Sequence, residues 1–270
     1  MDGREPLSIP DTSSDQRYPG VEASELRGYL GVPIVLGDGR VFGAFCAVDS
    51  EPMDLTSEQI AAMTSLATLL SYAIDVERLA THDRLTGLYN RSLFDDHLMV
   101  ELARARRNGT MLAVIYVNLD QFKQINETSG QDLGRELLAG VGLRLRSTIR
   151  GCDTAARIGG DEFALILPDI RKVDNAARVA QALLESLQDP IRVSDNVFTM
   201  TASVGVAVYP LHGQNAKTLM ECADVAMHAA RAAGGSAFRF SLGGDNAGLS
   251  HTFGERPLLR VLPDPSDQDQ

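Results

Sequence analysis

The chain has 270 residues, 44% of them hydrophobic, and a net charge of −11 at pH 7; that is enough to bury one good core and part of a second. An acidic surface repels nucleic acid and anionic membrane, so neither is expected as a general partner, while a local basic pocket can still take a nucleotide. Cys46, Cys152 and Cys222 stand far apart without CxxC spacing, which argues against a zinc site or a disulfide framework and for reduced core thiols.

Residues 1–25 are rich in Asp, Ser, Pro and Gly, so a flexible lead is expected. Met1 to Ser14 lacks the basic-then-apolar pattern of a signal peptide, and no apolar run reads as the ~20 residues that a bilayer span needs. A soluble, cytoplasmic chain is the expectation. Val32 to Leu36 and Val41 to Val48 are apolar runs joined by Gly37-Asp38-Gly39, a strand-turn-strand signal. Thr56-Ser57-Glu58-Gln59 then matches a capping box, which should start a helix. Ile60, Met63, Ala67, Leu70 and Ile74 recur at alternating spacings of 3 and 4, a narrow seam of the coiled-coil kind. Such a seam predicts a homodimer paired through helix 57–80.

Further along, the pattern predicts helix 91–107, strand 111–118, helix 130–149, strand 154–158, strand 163–167, helix 174–188, strand 197–209, helix 215–232 and a short strand 236–240. Strands and helices interleaved around a central hairpin imply an α+β palm with a ferredoxin-like βαββαβ core and additions. Residues 241–270 have little hydrophobic periodicity, so a disordered tail is expected.

Two stretches carry the chemistry. Residues 157–167 read Arg-Ile-Gly-Gly-Asp-Glu-Phe-Ala-Leu-Ile-Leu: two glycines let backbone approach a phosphate, two acids supply hard oxygen ligands, and the apolar run reads as a buried strand. Upstream stands Asp83-Arg84-Leu85-Thr86-Gly87-Leu88-Tyr89-Asn90-Arg91. Together they resemble the signature loop and opening motif of the GGDEF family, the diguanylate cyclases that condense two GTP into cyclic di-GMP, over residues 81–240. The preceding segment, 26–80, with Gly31-Val32-Pro33-Ile34 and Gly43-Ala44-Phe45-Cys46-Ala47-Val48-Asp49, resembles the C-terminal half of a GAF sensory domain. Half a domain cannot close a ligand pocket, so a structural or dimerising remnant is expected there.

The resemblance implies a site. Asp161 would ligate Mg²⁺ or Mn²⁺ and assist deprotonation, with Glu162 its acidic neighbour and Gly159 and Gly160 beside the substrate. Asn118 replaces the family's first metal-binding Asp, with the Leu119 carbonyl next to it; a neutral amide removes one formal charge and weakens the metal site. Asp120 would be structural and Lys123 would steady phosphate. Asn126 would read a guanine edge, whereas Gln131 and Arg135 replace a His and an Asp. Arginine has donors only and cannot accept from guanine N1 and N2, and a lost polar match of this kind costs up to ~10⁴-fold in discrimination. Asp132 is expected at the surface. Arg231 keeps one phosphate cation and Gly235 removes another, while His228 is expected as a partly buried core residue. Arg150-Gly151-Cys152-Asp153 falls where the family has a product-binding inhibitory site: Arg150 would fork onto guanine O6 and N7, Asp153 would accept from N1 and N2, and Arg157 would add charge; the alternative is a local ion pair.

Two readings stay open: a cyclic di-GMP receptor with a degenerate substrate site, altered at Asn118, Gln131, Arg135 and Gly235, or a working homodimeric diguanylate cyclase. No EAL-type segment, Walker A loop or HExxH motif supports a phosphodiesterase, ATPase or zinc hydrolase.

Overall fold

The computed structural model describes residues 4–15, 26–194 and 196–242, which divide into two compact units, Met1–Arg84 and Leu85–Gln270. The expected disordered tail lies outside the described residues from 243 onward.

The first unit is a three-stranded antiparallel sheet, β1 (Leu7–Ile9), β2 (Gly28–Val35) and β3 (Val41–Asp49), followed by α1 (Ser57–Thr81). Alternation in β2 aims Leu30, Val32 and Ile34 at the helix, where they pack with Ala67 and with the partly buried Ile60, Met63 and Ile74. The capping box forms as expected: Thr56 Oγ1 accepts from Gln59 N at 3.3 Å, and Gln59 Oε1 accepts from Thr56 N at 2.9 Å.

Three expectations change in this unit. The seam at Ile60, Met63, Ala67 and Ile74 is used within the unit, against its own sheet, because β2 supplies the apolar face that the helix needs. Leu70 of the seam is left exposed, as are Leu66, Leu69, Tyr72, Val76 and Leu79, which lie outside it. The flexible lead does not extend over residues 4–15: Leu7–Ile9 joins the sheet, and Asp11 accepts two hydrogen bonds from the Arg27 guanidinium, at 2.9 and 2.8 Å. Finally, α1 is long and apolar enough to cross a membrane by length and composition, a feature hidden in the sequence by interspersed Thr and Ser. Thr64, Ser65 and Thr68 hide their hydroxyls by donating to carbonyls one turn back in the helix.

The second unit is built on a five-stranded sheet in the order β10-β9-β4-β6-β5: β4 (Met111–Leu119), β5 (Thr154–Arg157), β6 (Glu162–Ile170), β9 (Ala202–Tyr209) and β10 (Ala237–Phe240). Its helices are α2 (Arg91–Asn108), α3 (Phe122–Ser129), α4 (Gln131–Thr148), α5 (Val173–Gln188) and α6 (Ala216–Ala232), with a separate hairpin, β7 (Ile191–Val193) and β8 (Asn196–Phe198). The run β4-α3/α4-β5-β6-α5-β9 is the expected βαββαβ core, to which α2, the hairpin, α6 and β10 are additions. Odd residues of β4, from Ala113 to Leu119, pack toward Leu137, Val141, Ala180 and Leu183 of α4 and α5. Its even residues Leu112, Val114 and Tyr116 pack toward Phe94, Leu98, Leu219 and Met227 of α2 and α6.

Two boundaries differ from the sequence reading. A short helix, α3, precedes α4 and was not expected; Gly130, at φ 91°, separates the two. The single strand expected at 197–209 is two pieces: β8 pairs with β7, and β9 begins only after Met200, which is buried and donates its N–H to the Leu187 carbonyl at 3.1 Å. The opening motif braces the sheet edge. Tyr89 bridges Ala156 in parallel, Arg157 N donates to Tyr89 O at 2.9 Å, and the Asn90 side chain caps α2.

Candidate active site

Several of the candidate residues gather where β4 ends and β6 and β9 begin. Asn118 pairs in register with Glu162 on one side and Ser203 on the other, so the three side chains share the face that Tyr116 occupies two residues earlier. Asn118 is only 4% exposed, and its Oδ1 is the one buried side-chain oxygen or nitrogen without a hydrogen-bond partner among the described residues. An orphaned buried acceptor costs free energy, about 1–3 kcal/mol, unless something outside the chain satisfies it.

The signature turn folds onto this point. Glu162 O accepts from Ile158 N at 2.9 Å and from Gly159 N at 3.3 Å, and Asp161 O accepts from Leu119 N at 3.1 Å. The Glu162 carboxylate lies over Gly159, in the space a Cβ would take, so glycine there makes room for the acid. Arg157 donates to Gly160 O at 3.1 and 2.7 Å. It braces the signature turn, rather than simply adding charge to the Arg150–Asp153 turn as the sequence reading had it. Burial, and then the charges of Glu162 and Asp224, hold the Tyr116 phenol well above its usual pKa, so it stays protonated beside the two acids. Tyr116, Ser203 and Asp224 were missed in the sequence; strand alternation, counted back from Asn118, was the signal for the first.

Among the described residues no group of three or more His, Cys, Asp or Glu could hold a metal. What the site offers is oxygen only: Asn118 Oδ1, the Leu119 carbonyl and the Asp161 and Glu162 carboxylates. This set fits a hard divalent ion that takes one or two carboxylates and completes its shell with substrate phosphates.

Asp120 is structural, as expected. Its Oδ1 accepts from Ser203 Oγ at 2.7 Å and its Oδ2 from Ser236 N at 2.9 Å, tying β4 to β9 and to the turn before β10. Gly235 sits in that turn at φ 72°, and a Cβ there would lie 2.8–3.0 Å from the Asp120 carboxylate. The cations stand at the rim: Lys123 is 90% exposed and 3.9 Å from Glu127, and Arg231 is exposed in the last turn of α6. Asn126 rests its carboxamide on Gly134 at the α3–α4 contact, where a Cβ would overlap it; Gln131, Asp132 and Arg135 are exposed on α4. His228 departs from the sequence reading. Its side chain is 61% exposed and lies 3.5 Å from Asp224, because α6 turns Ala226, Met227 and Ala230 inward instead.

Arg150 and Asp153 are not brought into this cluster. They precede β5, at the opposite end of the four-residue strand from the signature turn, about 13 Å away along it. Asp153 Oδ2 accepts from Arg150 N at 2.9 Å, and Asp153 N donates to Arg150 O at 3.1 Å. The Arg150 guanidinium forms no ion pair among the described residues.

A ferredoxin-like palm whose central hairpin turn carries Gly-Gly-Asp-Glu beside a set of oxygen donors defines the class as a GGDEF-type palm domain. The chain belongs to the GGDEF family: residues 80–237 match the family described as diguanylate cyclase, GGDEF domain. Residues 1–74 match the GAF domain, which takes in β1 and the lead.

Among curated relatives, the bifunctional diguanylate cyclase/cyclic di-GMP phosphodiesterase MucR of Pseudomonas aeruginosa is 38% identical over 190 residues, 70% of this chain and 28% of MucR. The diguanylate cyclase TpbB of the same organism is 39% identical over 153 residues, 56% of this chain and 35% of TpbB. The chain thus spans about a third or less of these relatives. Of solved structures, the GGDEF domain of TpbB superposes with a TM-score of 0.58 at 35% identity, covering 59% of this chain and 94% of that one. The coiled coil and GGDEF domain of DgcB from Caulobacter crescentus, in complex with c-di-GMP, gives 0.58 at 28% identity, covering 68% and 97%.

Proposed function

We propose that this chain is a regulatory member of the cyclic di-GMP signalling family, binding cyclic di-GMP at the Arg150–Asp153 turn while its substrate site is too weakened for appreciable turnover. The observation that carries this reading is the turn itself. Asp153 is fixed by the Arg150 N–H at 2.9 Å, while the exposed Arg150 guanidinium has no ion-pair partner among the described residues. A fork of donors next to a fixed carboxylate complements guanine, O6 and N7 for Arg150, N1–H and N2–H for Asp153. Calorimetry should detect cyclic di-GMP binding to the wild type and none to Arg150→Ala; equal binding by the two would refute the site.

One observation favours a second reading, a working diguanylate cyclase: the unpartnered Oδ1 of Asn118 points to a ligand from outside the chain. Asn118, the Leu119 carbonyl and Asp161 would hold Mg²⁺ or Mn²⁺, more weakly than an all-carboxylate set, with Glu162 beside them. The ion, when bound, would supply Lewis-acid polarisation of phosphate and hydroxyl oxygens. Lys123 and Arg231 would steady the triphosphate, Gly159 and Gly160 would let it approach the backbone, and Asn126 and Arg135 would face the base. Incubation with GTP and either ion should then yield cyclic di-GMP and diphosphate; none at high protein concentration ends this reading. Either way the chain would act as a cytoplasmic homodimer through α1, with Leu66, Leu69, Val76 and Leu79 at the contact in place of the seam packed on the sheet.

A further inference from the structure

We propose that the outer edge of β3 pairs antiparallel with the same edge of a second copy of the chain, joining the sheets of the two first units into one. The contact is separate from the one assigned to α1 and goes beyond the nucleotide readings. In the order β1-β2-β3 the last strand has a neighbour on one side only, so the N–H and C=O groups along its free side lack a strand partner among the described residues. Edges of this kind are ordinarily blunted by proline, lysine or an inward charge. β3 reads Val-Phe-Gly-Ala-Phe-Cys-Ala-Val-Asp, with no proline and no charge before Asp49, and Val41, Phe42 and Val48 are exposed along it.

A second copy suits this edge because the strand is self-complementary. Ile34 pairs with Gly43 and Val35 with Val41, so Phe42 is the extra residue of a bulge, and residues 43–49 are the regular run. Antiparallel pairing about its middle residue, Cys46, uses the whole run: Ala44 meets the partner's Val48, and Phe45 meets the partner's Ala47, with like faces together. Charge agrees with this direction. Before the strand Arg4 donates to Gly39 O at 3.2 Å and Arg40 pairs with Asp38, a net positive end; at the other end stand the exposed Asp49 and Glu51. Antiparallel pairing brings unlike ends together, whereas parallel pairing would set acid on acid. An edge of this length buries less than the ~1,000 Å² of a stable interface, so the pairing shows at high concentration and adds to a dimer built on α1 rather than replacing it.

Disulfide trapping tests it in the full chain carrying Cys152→Ser and Cys222→Ser, which leaves Cys46 alone on the proposed axis. Mild copper-catalysed oxidation should give a covalent dimer, and the exposed-site change Val48→Lys should abolish it. Moving the thiol off the axis with Cys46→Ser and Ala44→Cys should slow trapping about tenfold or more, because the two sulfurs then lie too far apart to bridge. Trapping through Cys46 should persist in Leu69→Glu, and backbone amide exchange across 43–49 should slow as protein concentration rises.

Equal trapping rates from positions 44 and 46 would mean random collision and overturn the pairing. Loss of trapping in Leu69→Glu would make the contact a by-product of α1 and overturn it as a separate one. Protection of 43–49 that is the same at every concentration would put a segment of the same chain on the edge, and no trapping with no protection would leave the edge bare; either result overturns the inference.

Discussion

Placing a cation at position 235 by Gly235→Arg, where the family resemblance implies a phosphate contact, should destabilise the GGDEF unit. Gly235 sits at φ 72°, a left-handed conformation that costs an L-residue about 1–2 kcal/mol. Its Cβ would lie 2.8–3.0 Å from the Asp120 carboxylate, which must move. Movement stretches the bonds from Ser203 Oγ at 2.7 Å and Ser236 N at 2.9 Å, each worth about 1.5 kcal/mol or more as a bond to a charged group. Allowing for relaxation of a half-buried carboxylate, the sum is about 2–4 kcal/mol. For a unit of this size that lowers Tm by roughly 5–15 °C.

Differential scanning calorimetry of wild type, Gly235→Ala and Gly235→Arg measures it. Gly235→Ala should account for most of the loss, because backbone and Cβ carry it. Asp120→Ala should lose stability on its own and make Gly235→Ala less costly, since the two share one contact. An unchanged Tm in Gly235→Arg would refute the reasoning, showing that the turn re-forms at negative φ without cost.

Three further outcomes follow from the structure. Asn118→Asp places a charge in a 4%-exposed site opposite Glu162. Without divalent ions it should cost roughly 2 kcal/mol or more, and Mg²⁺ should raise its Tm more than that of the wild type; identical Tm values with and without Mg²⁺ would rule out a metal there. His212 is kept neutral by burial, which lowers its pKa, and its Nδ1 accepts from Val208 N at 2.8 Å. The unfolded chain takes up this proton near the ordinary value of 6.5, so the contribution is full above that pH and lost as pH falls through the depressed folded value; His212→Asn, which keeps an acceptor, should flatten the Tm profile between pH 7.5 and 5, and an unaltered slope would exclude His212 as its source. Leu69→Glu should yield folded monomers in sedimentation velocity, whereas Ile60→Glu should lower the Tm of the first unit, and a dimer that survives Leu69→Glu would place the contact elsewhere.

How much of this was legible in the sequence depended on whether local chemistry or tertiary packing decides each feature. The capping box at Thr56, the hairpin turn at Gly159 and Gly160, and the βαββαβ order are set by local residue types and periodicity, and they stand as read. The seam on α1 was legible as a seam, but the identity of its partner was not: a stripe at alternating spacings of 3 and 4 serves a twin helix or a sheet equally well, and β2 was the nearer apolar face. For the same reason His228 could not be placed, since exposure depends on which side of α6 faces β9. Asp11 and Arg27 are sixteen residues apart, with no periodic signal to link them. Arg157 read as a basic residue near the Arg150 turn because sequence distance hides that a strand carries its side chain to the other end.

Gly235 ties these substitutions together. At the sequence level it is a deletion of charge, one of four independent losses in a site. In the fold it is linked to Asp120, whose carboxylate fills the space a side chain would enter and fastens β4, β9 and the turn before β10. The substitution therefore trades a phosphate contact for a turn held by the same strand end that presents Asn118. Asn118 itself keeps an oxygen where the family resemblance implies a metal ligand while giving up its charge. Gly235 lowers the direct electrostatic pull on a triphosphate, whereas Asn118 would lower it only through a metal ion held more weakly. By contrast, the Arg150–Asp153 turn keeps both members of its donor-acceptor set. On the proposed reading, a chain that loses charge where substrate would sit and keeps it where product would sit would be better suited to sensing cyclic di-GMP than to making it.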